Sequence, residues 1–120
     1  MSALEEIRYI AAAIGLPVES GVFHGKAPDA YVVLTPLSEQ FAFHADNQPE
    51  MNIEEVRIAL FDKGNYNEKK RRLVQALLAA DFVITDRRYI EHGDIYENDA
   101  GYHHYDIDAA KAYEFTTEED

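Results

Sequence analysis

Residues 61–82 read FDKGNYNEKKRRLVQALLAADF, the pattern of a strand end, a tight turn, one amphipathic helix and the start of another strand. Asp62-Lys63-Gly64 supplies the turn, because glycine takes a positive φ without steric cost, and Asn65 follows as an N-cap with Glu68 three residues on. The helix should therefore begin near Tyr66. Within it Tyr66, Leu73, Val74, Leu77, Leu78 and Ala80 form a broad apolar stripe, while Lys69, Lys70, Arg71 and Arg72 crowd the early turns around it. One face of such a helix is buried, and its flanking segments are read as strands of the sheet beneath it.

Downstream, Phe82-Val83-Ile84-Thr85 with Tyr89-Ile90 reads as one strand and residues 102–115 as another. The connection between them carries Glu91, Asp94, Glu97 and Asp99 and no Lys or Arg, as a solvated hairpin tip would. Upstream, residues 51–61 alternate, with Ile53, Glu55, Arg57, Ala59 and Phe61 on one face and Asn52, Glu54, Val56, Ile58 and Leu60 on the other. Earlier strand signals lie at 18–24, at Tyr31-Val32-Val33-Leu34-Thr35, closed by Pro36, and at Phe41 to His44. Ser2 and Glu5 form a capping box ahead of Leu4, Ile7, Ala11 and Ile14 at helical spacing, and Gly15 and Pro17 end that first helix. Helices are thus expected at 3–14 and 66–80. The pattern predicts an α+β fold: an antiparallel or mixed sheet of about five or six strands with two amphipathic helices on one face. Its interior should include Ile7, Ala11, Ile14, Val33, Ile58, Leu60, Leu73, Leu77 and Phe82.

With 120 residues and 47% hydrophobic content the chain is read as one domain, 1–115, with an acidic tail at 116–120 that is expected to fray. A formal charge of −12 argues against a duplex-DNA surface and against attraction to anionic lipid. The lack of cysteine excludes a thiolate nucleophile and a Cys-based zinc site. No signal peptide and no apolar run of membrane-spanning length is visible, so the protein is expected to be soluble.

Metal-ligand chemistry is concentrated in His103-His104-Tyr105-Asp106-Ile107-Asp108. On a strand His104, Asp106 and Asp108 share a face and form the candidate cluster for a divalent ion. Ordinary alternation, with His103, Tyr105 and Ile107 inward, explains the same residues, so no bound metal and no cofactor is expected. Asp94, Glu97 and Asp99 lack the spacing and closing glutamate of an EF-hand loop. The four cations at 69–72 span about 300° of a helix at 3.6 residues per turn, too far round to form one phosphate-binding stripe. Neither a phosphate-cradling glycine loop nor a nucleophile elbow is present.

Taken together, Asp62, Lys63, Gly64, Asn65 and Tyr66, then Leu73 and Val74, Asp81 and Phe82, and finally Gly101, Tyr102 and His103 resemble the motifs of small siphophage and prophage tail-completion proteins, also called tail-terminator or head-tail joining proteins. The segment 31–45 is similar as well. In place of that family's aromatic and basic ending, this chain has Ala109-Ala110-Lys111-Ala112 and an acidic tail. The resemblance implies a non-catalytic virion protein, assembled in the bacterial cytoplasm. It implies a ring, commonly a hexamer, that meets the tail-tube protein and the head-completion protein, with no membrane and no sequence-specific nucleic acid as partner. A ring closes through one patch meeting a different one, and Lys69, Lys70, Arg71 and Arg72 against an acidic loop carrying Asp94, Glu97 and Asp99 is the pairing that charge suggests. Two rival readings are an adaptor domain that binds a host protein and a cation-dependent hydrolase using His104, Asp106 and Asp108.

Overall fold

A computed structural model describes residues 1–20, 28–45, 48–91 and 101–115. The elements are α1 (Ala3–Ala13), β1 (Val18–Ser20), β2 (Ala30–Ala45), β3 (Gln48–Asp62), α2 (Tyr66–Ala79), β4 (Val83–Ile90) and β5 (His103–Glu114). Four long strands make an antiparallel sheet in the order β2-β3-β5-β4, and the three-residue β1 pairs parallel to β2 at its edge. The fold is α+β, and among the described residues the sheet has five strands. The count is lower than six because Pro36 does not end a strand. It sits instead at a register shift between Pro36 and Ser38, where a residue without an N–H is tolerated, so the two segments read separately at 31–35 and 41–44 are one strand. Of the strand signal at 18–24, residues 21–24 lie outside the described residues, as does the tail at 116–120.

Both helices end as their sequences direct. Ser2 Oγ accepts from the Glu5 N–H and the Ser2 N–H donates to Glu5 Oε1, closing the capping box. At α2 Asn65 Oδ1 accepts from the Glu68 N–H at 3.3 Å. Each C-terminus closes with the paired bonds of a Schellman motif. Leu16 N–H donates to the Ala11 carbonyl and Gly15 N–H to Ala12, then Phe82 N–H to Leu77 and Asp81 N–H to Leu78. The left-handed residue is Gly15 at φ 83° in the first and Asp81 at φ 68° in the second.

One face of the sheet supplies the core. Val32 lies opposite Leu60, Leu34 opposite Ile58, Ile58 opposite Ile107 and Val56 opposite Ala109, and all seven are buried with Ile7 and Ala11 of α1 and Leu73 and Leu77 of α2. Both helices therefore cover the same face, and among the described residues the other carries no helix. The structure differs from the reading of the interior at Val33 and Ile14, and from that of the α2 apolar stripe at Leu78. Val33 is half-buried on the opposite face, because the pleat that turns Val32 and Leu34 to the helices turns Val33 away. Ile14 packs only partly against the core, and Leu78 is 55% exposed, one residue round the helix from Leu77.

Lys111 ties the layers together. Its Nζ donates to both Glu6 carboxylate oxygens, at 3.0 and 2.9 Å, and to the Ala80 carbonyl at the end of α2, at 2.7 Å, while Tyr113 Oη donates to Glu6 Oε1. Burial opposes ionisation of Glu6, but the hydrogen bonds from Lys111 and Tyr113 and the Lys111 charge outweigh it and hold the carboxyl below its ordinary value of 4.5. A depressed folded-state pKa stabilises above the unfolded value, and that stabilisation is lost as pH falls through the folded one. Lys111→Ala should therefore lower stability at neutral pH, with a gap to the native chain that narrows in acid. Part of the gap persists, since the bond to Ala80 does not depend on the charge of Glu6. Denaturant melts taken from neutral pH into acid read this directly, and a gap of constant size would remove Glu6 from the account.

Candidate functional site

The helix-free face of the sheet carries the cluster that the sequence singled out, with partners the sequence did not reveal. His104, Asp106 and Asp108 do share that face, but the two carboxylates are only 5% exposed. The register explains the burial: Arg57 of β3 lies directly opposite Asp108, and Arg88 of β4 directly opposite Asp106. Arg57 Nε and Nη2 donate to Asp108 Oδ1 and Oδ2 at 2.9 and 3.1 Å, a bidentate fork. Arg88 Nη2 donates to Asp106 Oδ2 at 3.3 Å, and its Nη1 pairs with Asp86. His104 Nε2 lies 2.8 Å from Asp106 Oδ1. The hydrogen bond that Arg57 donates to Asp108 comes first in raising the Arg57 pKa above its ordinary value, against the opposing effect of burial.

The face is thus an ion-pair ladder across three strands, not the exposed polar face that alternation predicts. Three of the four carboxylate oxygens of Asp106 and Asp108 face guanidinium groups, and the fourth, Asp106 Oδ1, faces His104. Among the described residues no group of three or more His, Asp or Glu side chains is arranged to hold a metal ion. The signal missed in the sequence is strand register: Arg57 and Arg88 stand in alternating runs, but nothing local says which residue of β5 each will face.

Beside the ladder lies an aromatic group. Tyr31 stacks on Phe61 with ring centroids 5.0 Å apart, Tyr102 meets both edge-on, and His104 lies 4.3 Å from Phe61. Tyr102 Oη donates to the Pro28 carbonyl at 2.6 Å, which anchors the start of β5 beside β2.

The turn at 62–66 is fastened at almost every residue. Asp62, 2% exposed, accepts from the Gly64 N–H at 2.8 Å through Oδ1, and its Oδ2 lies 2.9 Å from Lys69 Nζ. Lys63 N–H donates to the Asp29 carbonyl, and Lys63 Nζ sits 4.9 Å above the Tyr102 ring. Tyr66 packs against Tyr89, His103 and Tyr105 on the helix side, where Tyr89 Oη is 3.0 Å from His103 Nδ1.

The cationic group at 69–72 divides. Lys69 is held by Asp62, and Lys70 Nζ lies over the rings of Tyr105 and Tyr66 at 4.8 and 5.6 Å. Arg71 and Arg72 are exposed. A cleft of about 550 Å³ opens between α2 and β4, where Lys70 and Arg71 meet Arg87 over Val74. Arg87, like Arg57 and Arg88, was not legible as a site residue. Asp94, Glu97 and Asp99 lie outside the described residues. No helix among the described residues is long and apolar enough to cross a membrane.

No family model and no curated protein matches the sequence. A solved structure is similar over 98% of this chain and 94% of that chain, at 15% identity and a TM-score of 0.48, a likeness that carries no argument.

Proposed function

We propose that this chain is a non-catalytic structural subunit of a phage or prophage virion, one that closes as a ring on the tail tube and joins it to the head-completion protein. The observation that carries the reading is the turn at 62–66, the segment on which the resemblance chiefly rests. Asp62, Lys63, Gly64 and Tyr66 are engaged in fastening β3 to α2 and to the aromatic residues around them. Such a motif specifies a fold and offers no group for catalysis. The hydrolase reading is weaker, because Asp106 and Asp108 are already committed to Arg57 and Arg88.

Within this proposal the contact between copies is heterologous, and Arg71 and Arg72, which make no ring or carboxylate contact among the described residues, are the members of the original group that would form it. Copies carrying −12 each repel within a Debye length of about 8–10 Å at moderate salt, so an isolated subunit is expected to be monomeric in dilute solution and to associate more as ionic strength rises. Tails assembled without the chain should be abnormal in length or lack heads in electron micrographs. Normal tails with heads attached, made in its absence, would refute the virion reading.

A further inference from the structure

β4 is the last strand in the sheet order, and among the described residues it is hydrogen-bonded on one side only, to β5. Its outer side therefore presents a row of backbone N–H and C=O groups, the template on which an extended segment adds to a sheet. The cleft between α2 and β4 reaches this strand at Arg87, and a second hollow of about 540 Å³ shares Lys70 and Arg87 with it and is lined by Ile84, Thr85 and Asp86 of β4. The two together make a trough beside the strand.

Its charge is opposite to that of the chain. Three of the 11 cations of a protein with net charge −12 meet here: Lys70, Arg71 and Arg87. Two acids, Glu68 and Asp86, also line the trough, but Asp86 is paired with Arg88. Val74 gives the floor an apolar patch. Lys70 is held in place by the Tyr66 and Tyr105 rings, which leave its charge intact. Arg87 lies opposite Ile107 and so belongs to the helix side of the sheet, as α2 does. A strand laid beside β4 would turn every second side chain to that same side, about 6.8 Å apart along the chain.

We propose that this trough is a docking site for an acidic, extended segment of a partner protein, which joins the sheet as an added strand along β4 with alternate carboxylates facing Lys70, Arg71 and Arg87. The main-chain ladder supplies the pairing, and the cations select for an acid at every second position. This inference does not rest on the virion reading.

A capped peptide of alternating Glu and Thr, matched to the 8 residues of β4, is the probe. It should bind the full chain in a salt-dependent manner, and the β4 amide protons should gain protection from exchange when it does. Arg71→Glu with Arg87→Glu, both at exposed positions, should weaken binding by about tenfold or more while the melting temperature stays unchanged. The same peptide N-methylated at alternate residues should lose binding to a similar degree, since it keeps its charge and loses the ladder. The proposal is overturned by equal affinity for the charge-reversed variant, by equal binding of the N-methylated peptide, or by protection appearing on another surface. It is also overturned if β4 proves to be covered by a second copy of the chain that the peptide does not displace.

Discussion

Replacing Leu77 by alanine should lower the stability of the domain by about 2–5 kcal/mol, the range for emptying a leucine site in a packed core. Leu77 is fully buried in the cluster that joins Ile7 of α1, Leu73 of α2 and Ile58 and Leu60 of β3, so the lost methyl groups leave a cavity between three elements. Its backbone also holds the end of the helix, because the Leu77 carbonyl accepts from Phe82 N–H and Phe82 is itself buried. The adjacent position is the control. Leu78→Ala removes the same atoms from a side chain that is 55% exposed, and it should cost no more than about 0.5 kcal/mol. Urea melts of the two variants at unchanged slope separate them. Equal losses would mean that α2 is rotated about its axis from the orientation described.

That contrast also marks how far the sequence could be read. The span of α2 was legible because its start and stop are local: Asn65 caps it and Asp81-Phe82 closes it within a few residues. The apolar stripe was legible as a stripe, but Leu77 and Leu78 differ by only one step round the helix. Which of them faces the sheet depends on the packing angle, which is not a local property. Val33 stands in a run of apolar residues where alternation alone leaves the choice of face open. Pro36 misled for a different reason, since a proline that would break a central strand is tolerated at a bulge, and the bulge is seen only once the partner strand is known. Sequence separation hid the ladder entirely, with Arg57 and Asp108 standing 51 positions apart.

The ladder sets the second large effect. Arg57→Ala should cost about 2–3 kcal/mol, because it leaves Asp108 buried without its fork and weakens the field around Asp106, 3.7 Å from Arg57 Nε. Fully buried pairs cost more to break. Here the Arg57 side chain is 35% exposed, and Arg88 Nη1 remains 3.8 Å from Asp108 Oδ2, so both solvent and a second cation soften the loss. Lysine at position 57 keeps the charge but has no planar fork, and it should recover only part of the loss. The decisive variant is the double one, Arg57→Ala with Asp108→Ala. Removing the carboxylate together with its partner leaves no stranded charge, so the double variant should be less destabilised than the sum of the single ones, by about 1–3 kcal/mol. Urea melts of the four chains measure that coupling. Strict additivity would mean that the fork contributes nothing beyond packing, and that Asp106 and Asp108 are held in the sheet by something other than the arginines opposite them.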